Sequence, residues 1–304
     1  MTTAGPGSTP YSAPLVHGEP VEVSRGVFVI LDDRIRLVPN VGIVIGGERA
    51  LVVDTGVGAR NGRFVLDAAR RLAGDRPLHL VITQMDPGHG FGAQAFKGAA
   101  TIIYSRAQRD RLRRNAPDYA AAFTDLGPDV VAELQGLDLV EPDLTYDGEL
   151  EIDLGGVRVL LQQWGPAHTA DDQTVLVDDR VLFGGDLFQT RMFAILPYFP
   201  PFDTHFDGDR WLGALDDLIG LGTAVVVPGH GEVTDTVGIA DVRDYLRFVR
   251  AETRRLHAAG VPLERATTVV EKQALARWAS WEAPQWIGTA TKAFYGELEG
   301  GQPA

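Results

Sequence analysis

Short apolar runs separated by turns rich in Gly, Asp and Pro fill the chain from Val21 onward. Runs of this length with this punctuation are typical of β-strands. In the first part of the chain they predict strands over residues 27–31, 41–45, 51–56, 78–83 and 99–104. Between the third and fourth of these strands, apolar residues at 64, 65, 68 and 72 recur at helical spacing. They predict an amphipathic helix of about three turns, and hence a βα unit.

A second strand-rich part follows residues 118–143, an acidic segment with Gly and Pro that is predicted to be an irregular insertion near the mouth of a site. Its predicted strands cover residues 150–154, 157–162, 174–177, 181–183 and 224–227. A helix over residues 211–218 precedes the last of them. Two strand-rich parts, each closed by a helix, predict two sheets packed together with helices outside.

The remaining segments are predicted to be helical. Residues 106–119 form a helix with five arginines, which are expected to lie on a solvated face. Near the C-terminus, apolar residues at helical spacing predict helices over residues 242–256, 263–281 and 286–298. Trp278, Trp281 and Trp286 lie in this part, and aromatic residues at such spacing usually pack in a core.

Composition narrows the class of protein. The 304 residues are 45% hydrophobic, enough for a sizeable core in a soluble globular protein. The formal net charge of −13 argues against a nucleic-acid partner, because nucleic-acid binding needs clustered Lys and Arg. We therefore expect a small-molecule substrate and neither nucleic acid nor a membrane as partner. The chain contains no cysteine, so a metal site must use histidines and carboxylates.

Three parts are predicted along the chain. Residues 1–20 are the first part, and residues 1–14 within it are rich in Thr, Ser, Gly and Pro but lack the basic start and apolar stretch of a signal peptide. They are expected to form a disordered arm of a cytoplasmic protein. Residues 21–236 hold the strands and form the main domain, and residues 237–304 form a helical extension packed on it.

The turn at residues 83–90 carries three candidate metal ligands directly after a predicted strand. Gln84, Asp86 and His89 lie within six residues, and Pro87 and Gly88 fold the chain back sharply between them. Such side chains can converge in front of a strand end. A single turn is weak evidence, so partners from distant segments are needed.

Those partners lie at three further strand ends. His168 lies in Gly-Pro-Ala-His-Thr, Asp186 in Gly-Gly-Asp and His230 in Pro-Gly-His-Gly, each after an apolar strand. Three of the seven histidines therefore lie in strand-end turns with Gly or Pro. Among the others, His205 lies in a loop that could bend over a site.

Five motifs in a fixed order resemble those of the metallo-β-lactamase-fold hydrolase superfamily. An Asp-Thr-Gly strand end at Asp54 and a ligand turn followed by Gly-Ala-x-x-Phe at 92–96 precede the three turns just described. The resemblance covers about residues 21–236. It implies an α/β fold, a four-layer αββα sandwich with added C-terminal helices and a metal site at one edge of the sheets. In the family, two divalent ions are usually bridged by the carboxylate that matches Asp186 and by a hydroxide that attacks a carbonyl or phosphoryl centre.

The ligand turn departs from the family's His-x-His-x-Asp-His, since its four positions are Gln84, Asp86, Gly88 and His89. Carried over by position, one metal site would consist of Gln84, Asp86, His168 and Asp186. The other would consist of His89, His230 and Asp186, because Gly88 offers no carboxylate. Exchanging imidazole nitrogen for oxygen shifts the preference from zinc toward manganese or iron. We expect one or two divalent ions of zinc, iron or manganese, with at most one held tightly.

Three functions remain open. The favoured one is a metal-dependent hydrolase of a small-molecule ester, lactone or thioester, which uses a metal-bound hydroxide and has Asp86 and Asp186 as catalytic residues. The second is a non-hydrolytic iron-dependent oxygenase or lyase on the same fold. The third is a metal-poor binding or scaffold relative. Ligand-type side chains at one sheet edge favour an enzyme, and metal analysis with an oxygen-consumption assay separates the first two functions.

Overall fold

Two β-sheets form the centre of the structure, a computed structural model that describes residues 13–198 and 203–300. In spatial order, the first sheet contains β1 (Val21–Ser24), β2 (Val27–Ile30), β3 (Val41–Ile45), β4 (Ala50–Val53), β5 (Leu78–Val81), β6 (Thr101–Ser105) and β7 (Leu144–Tyr146). The second contains β12 (Val225–Val227), β11 (Val181–Phe183), β10 (Gln173–Val177), β9 (Arg158–Gln163) and β8 (Glu149–Asp153). Neighbours from β4 to β7 pair in parallel, as do β11 and β12, and the remaining pairs are antiparallel.

Helices cover the outer faces of both sheets. On the first sheet they are α1 (Gly58–Ala73), α2 (Pro87–Gly90), α3 (Arg106–Arg114), α4 (Ala116–Phe123) and α5 (Pro128–Leu134). On the second they are α6 (Gly208–Gly220), α7 (Thr236–Ala258), α8 (Leu263–Arg277) and α9 (Gln285–Leu298). Trp278, Trp281 and Trp286 pack against this second helical layer, as the spacing predicts.

Both faces of each sheet are buried, because successive apolar side chains of a strand point to opposite faces. In β4, Ala50 and Val52 contact the helical layer, whereas Leu51 and Val53 contact the second sheet. In β10, Leu176 faces α6 to α9 and its neighbours face the first sheet. Because strand side chains point alternately to opposite faces, apolar residues at every position build a core on each side. The predicted four-layer αββα sandwich with added C-terminal helices is confirmed.

Some local predictions differ from the structure. The segment 118–143 is not irregular throughout, since it contains the end of α4 and all of α5. The helix predicted over residues 106–119 divides at Asn115, because Pro117 cannot continue a helix but suits the first turn of a new one. Residues 1–12 of the predicted arm lie outside the described residues. Packing begins before residue 21, since Val16 is buried and its amide donates to Asn61 Oδ1.

Parallel register brings the functional turns to one edge of the sandwich. Val53 of β4 pairs with Val81 of β5, and Phe183 of β11 pairs with Val227 of β12. The turns that follow each pair therefore leave their sheet side by side. In the described part of the chain, no helix is long and apolar enough to pass through a lipid bilayer.

Candidate metal centre

His89, Asp186 and His230 form a buried group, called here the three-ligand group. One candidate ligand atom from each lies within 4.8 Å of the others. The Asp186 carboxylate lies between the imidazoles, with Oδ2 3.2 Å from His89 Nε2 and Oδ1 3.6 Å from His230 Nε2. Two nitrogens and one carboxylate around a common point are a donor set for a divalent ion.

Close backbone approach makes this arrangement possible. Gly229 follows β12 and lies against the Asp186 side chain, so that a Cβ atom at position 229 would lie 2.2 Å from Asp186 Oδ1. Any residue larger than glycine would therefore displace the carboxylate. The Pro-Gly-His-Gly motif thus provides both the candidate ligand His230 and the space for the Asp186 carboxylate.

Each site histidine has an outer carboxylate beside its Nδ1 atom. The pairs are Asp54 with His89 at 2.9 Å, Asp172 with His168 at 3.2 Å and Asp32 with His230 at 3.9 Å. For His89 and His168 the distance is that of a hydrogen bond, and a carboxylate there holds the proton on Nδ1 and leaves Nε2 for an ion. The longer distance between Asp32 and His230 is an ionic contact only. Asp54 also accepts hydrogen bonds from the amide and hydroxyl of Thr83, so it supports the ligand turn.

Charge interactions within the group shift its pKa values strongly. Burial opposes the ionisation of Asp186, but the imidazoles of His230 and His89 hold the pKa of its carboxyl well below the usual range. Burial likewise disfavours a charged His89, yet the carboxylates of Asp54 and Asp186 raise its pKa well above the ordinary value. These carboxylates favour the protonated imidazole of His89 when no ion is bound, and a metal ion would have to displace that proton.

The other predicted ligands lie beside the three-ligand group but outside it. Gln84 Nε2 donates to Asp186 Oδ2 at 2.9 Å and to Asp86 Oδ2 at 3.2 Å. His168 is fully buried, and its Nε2 atom has no hydrogen-bond partner among the described residues. The set Gln84, Asp86, His168 and Asp186 is called here the second-ion position.

Position 88 leaves little room for the carboxylate that the resemblance places there. A Cβ atom on Gly88 would lie 3.0 Å from the carbonyl oxygen of Leu37. The loop between β2 and β3 would have to shift by a few tenths of an ångström to admit a side chain. The loss of the family's aspartate therefore coincides with a backbone that packs tightly against this position.

Arg111 is a buried cation next to the site, and the prediction of a solvated arginine face is wrong for it. Its side chain is 1% exposed and donates to Asp86 Oδ1 at 2.9 Å and to Asp203 Oδ2 at 2.8 Å, both from Nη2. The burial of Arg111 can be recognised from the spacing of its neighbours in α3. Gln108, Arg111 and Leu112 are its buried residues, and positions i, i+3 and i+4 share one face of a helix.

Asp171 and Asp172 are also buried, although acidic residues in a turn are usually solvated. Asp171 Oδ1 accepts from Arg111 at 3.0 Å, and Asp171 Oδ2 accepts from the Met85 amide at 2.8 Å. Asp172 accepts from the amide and the hydroxyl of Thr169 besides facing His168. Both carboxylates therefore connect the turn of His168 to its surroundings.

The segment after the undescribed residues 199–202 returns to the site edge. Asp203 is buried, and its Oδ2 atom accepts from Arg111 and, at 2.5 Å, from the Tyr119 hydroxyl. Burial opposes its ionisation, but Arg111 and Tyr119 lower the pKa of Asp203 below the ordinary value. His205 lies beside Asp203 with 43% of its side chain exposed, and it is not part of the three-ligand group.

Comparison with known proteins agrees with the resemblance to the metallo-β-lactamase-fold superfamily. The profile described as "Metallo-beta-lactamase superfamily" matches residues 34–230. The β subunit of 2,4-dinitroanisole O-demethylase from Nocardioides sp. (strain JS1661) is 26% identical over 256 residues, which are 79% of this chain and 72% of that protein.

Solved structures share the fold at low identity. The stereoselective inverting sec-alkylsulfatase Pisa1 from Pseudomonas sp. matches 94% of this chain with a TM-score of 0.71 and 18% identity, and this chain spans only 51% of that protein. A metallo-beta-lactamase family protein from Thermus thermophilus matches 93% of this chain and 98% of its own length, with a TM-score of 0.64 and 17% identity. With its motifs, its sandwich and its matching profile, the chain belongs to the metallo-beta-lactamase superfamily.

Proposed function

We propose that this protein is a metal-dependent hydrolase of a small molecule that carries an ester, lactone or thioester bond. The observation that carries the proposal is the three-ligand group, whose candidate ligand atoms lie within 4.8 Å of one another at the sheet edge. Ligand-type side chains from three separate turns would have no reason to meet in a buried place if the fold were only a scaffold, because burying titratable groups costs free energy.

The residues present fit one divalent ion. Asp186 Oδ1 is buried without a hydrogen-bond partner in the described part of the chain, which is costly unless a ligand completes it. Asp54 holds the imidazole of His89 at Nδ1, and the Nε2 atoms of His89 and His230 both face the Asp186 carboxylate. Such an ion, when bound, supplies Lewis acidity toward a water molecule or a substrate oxygen.

The chain's own residues would orient the reactants and carry the proton. Asp86 lies at the mouth of the site with 17% of its side chain exposed, and Arg111 holds its Oδ1 atom in place. We assign Asp86 Oδ2 as the atom that accepts a proton during hydrolysis. Gln84 Nε2 donates to this same atom, so it controls the direction of the carboxylate.

The related proteins suggest which bonds to test. The name O-demethylase denotes removal of a methyl group from an oxygen atom, and the name sec-alkylsulfatase denotes cleavage of a secondary alkyl sulfate. Substrates with an oxygen leaving group therefore belong in the assay beside thioesters. The substrate panel for the assay therefore contains lactones, thioesters and phosphodiesters together with an aryl methyl ether and a secondary alkyl sulfate.

A second function is favoured by the composition of the same group. Two histidines and one carboxylate that leave coordination positions open are also the donor set of non-haem iron oxygenases. An iron-dependent oxygenase or lyase is therefore the alternative. Metal content and oxygen consumption during turnover distinguish it from the hydrolase.

The test compares Asp186→Asn with His257→Ala. Asp186 contacts both imidazoles, so the amide is expected to lose the metal and at least about 10²-fold of the hydrolytic rate together. His257 lies on α7 against Tyr295, with ring centroids 4.8 Å apart, and its variant should keep metal and rate. Elemental analysis of protein purified without a chelating tag and the substrate panel are measured on the same samples.

Three results would argue against the proposal. Hydrolysis that persists unchanged in folded Asp186→Asn protein would assign the activity to a contaminant. Wild-type protein that binds no zinc, iron or manganese would favour a binding or scaffold role. Oxygen consumption coupled to turnover in iron-loaded protein would favour the oxygenase.

A further inference from the structure

At the second-ion position, Gln84 and Asp86 form hydrogen bonds with other groups of the chain, whereas His168 Nε2 has no partner among the described residues. Gln84 Nε2 lies between two carboxylates, 2.9 Å from Asp186 Oδ2 and 3.2 Å from Asp86 Oδ2. Turning the amide would bring its oxygen against the same two carboxylates, so the nitrogen is the atom that belongs there. An amide N–H group thus lies between two carboxylates that the family resemblance assigns to one metal ion.

The second carboxylate oxygen of Asp86, Oδ1, also accepts a hydrogen bond from the chain. Arg111 Nη2 donates to Asp86 Oδ1 at 2.9 Å, so that each carboxylate oxygen of Asp86 has a donor from the chain itself. A metal ion at the second-ion position would need one of these oxygens. It would have to break a charge-assisted hydrogen bond or displace the Gln84 amide.

Arg111 is held so firmly that displacement is costly. Its guanidinium contacts three carboxylates, those of Asp86, Asp171 and Asp203, and it donates to the Met85 carbonyl oxygen as well. Removing a buried cation from such a cluster would leave uncompensated negative charge, which is strongly destabilising. The guanidinium is therefore a permanent part of the site.

From these contacts we propose that Arg111 replaces the second metal ion of the family, so that the site holds one divalent ion and one fixed guanidinium. The inference rests on the proposed metal-dependent function, which supplies the first ion at the three-ligand group. Arg111 acts through Asp86 and is a positioning residue. Its charge also weakens binding of a second divalent ion by roughly 10²-fold or more, the scale of like-charge repulsion at a few ångströms in a partly desolvated site.

Metal stoichiometry tests the proposal without relying on activity. Wild-type protein saturated with Mn²⁺ or Zn²⁺ and then dialysed is expected to hold one ion per chain. Arg111→Met keeps the volume but removes the charge, and it should take up a second ion, whereas Arg111→Lys should stay at one. Arg247→Met, on the exposed face of α7, is the matched control and should also stay at one.

A second pair of variants separates the guanidinium from the amide. Gln84→His restores an imidazole at the second-ion position but leaves Arg111 in place, so it should still hold one ion. Gln84→His combined with Arg111→Met should hold two. If Gln84→His alone binds two ions, the amide and not Arg111 excludes the second ion, and the proposal is wrong.

The proposal can still be tested if the Arg111→Met variant does not fold. If Arg111→Met does not fold, Arg111→Met/Asp171→Asn/Asp203→Asn removes two of the three carboxylates with the guanidinium and should hold two ions. One ion in folded Arg111→Met, or in this triple variant, overturns the proposal. Two ions in the wild type overturn it as well and leave the hydrolase intact, whereas no ion in the wild type overturns the proposed function itself.

Discussion

The imidazole of His230 is positioned by a side chain from another part of the chain. Asn40, in the loop between β2 and β3, donates from Nδ2 to the carbonyl oxygens of Pro228 at 3.0 Å and Gly231 at 2.8 Å. Its Oδ1 atom accepts from the amide of Asp32, whose carboxylate in turn accepts from the Gly231 amide. Two short polar side chains therefore hold the turn on both sides of the ligand.

Asn40→Asp should weaken metal binding because it keeps the shape of the side chain but replaces the donor Nδ2 with an acceptor oxygen. A carboxylate would face two carbonyl oxygens, and each buried hydrogen bond lost in this way costs about 1–3 kcal/mol. The His230 turn is expected to shift, with a decrease in metal affinity of tenfold or more, on the order of 1.4 kcal/mol. Isothermal titration with Zn²⁺ and a urea unfolding curve measure the two effects.

Asn61→Asp provides the matched control. Asn61 is buried in α1 and makes the same kind of contacts, with the carbonyl oxygens of Pro14 and Val57 and the amide of Val16. Its substitution should cost similar stability and leave the metal affinity of the folded protein unchanged. Equal losses of affinity in both variants would show that Asn40 acts only through general stability.

Single residues differ in how far the sequence reveals them. The candidate ligands His89, Asp186 and His230 stand out because each follows a strand in a short motif of its own. Asn40 and Asp32 carry no such pattern, since their role depends on a loop that reaches the site only after folding. Arg111 lies between these cases, because the helical spacing of Gln108 and Leu112 indicates its burial but not the carboxylates it meets.

Among the elements, α3 matters most for the site because it carries Arg111 and is fixed at its start. Ser105 accepts from the Gln108 amide, and Gln108 accepts from the Ser105 amide, which together form a capping box. Gln108 Nε2 also donates to the carbonyl oxygen of Ile82, directly before the ligand turn. The cap therefore links the start of α3 to the end of β5.

Ser105→Ala should lower the free energy of unfolding by about 1 kcal/mol, the usual effect of losing a helix cap. It should also reduce the hydrolytic rate, because α3 sets the position of Arg111 and hence of Asp86. Asp235→Ala removes the cap of α7, where the side chain accepts from the Val237 amide, and should cost similar stability with no change in rate. Chemical denaturation and steady-state kinetics of both variants measure the two effects. Equal hydrolytic rates in both variants would contradict an effect of the α3 cap on Arg111.

Predictability also varies among the elements. The strands follow from apolar runs between turn residues, which suit buried positions on both faces of a sheet. The sequence does not predict short helices such as α5 (Pro128–Leu134), because seven residues with mixed polarity give too few periodic positions to identify. Their place is decided by packing against α1 and α4 rather than by their own pattern.

At the scale of the whole molecule, the three-ligand group joins the two sheets. His89 follows β5 of the first sheet, whereas Asp186 and His230 follow β11 and β12 of the second. The sequence indicates this meeting only through the ordered motifs and their resemblance to a family. Apolar runs alone do not show which strand ends share an edge, since that depends on strand order and on parallel register.

An ion held between the sheets should stabilise the entire fold, because the unfolded chain has no assembled site. At a free concentration 100 times the dissociation constant, such binding contributes about 2.7 kcal/mol. At about 2–4 °C per kcal/mol, the unfolding temperature of chelator-treated protein should rise by roughly 5–10 °C when Zn²⁺ or Mn²⁺ is added. Differential scanning calorimetry measures the shift, and Asp186→Asn protein should show none.

The size of that shift should increase with pH. The carboxylates of Asp54 and Asp186 raise the pKa of His89 in the ion-free protein, so its charge stabilises that form fully below about pH 6.5. This stabilisation is lost as the pH rises through the folded pKa of His89. Metal binding requires the neutral imidazole, so protons compete with the ion at low pH and no longer do so at high pH. A metal-induced shift that is larger at pH 6 than at pH 8 would contradict His89 as a ligand.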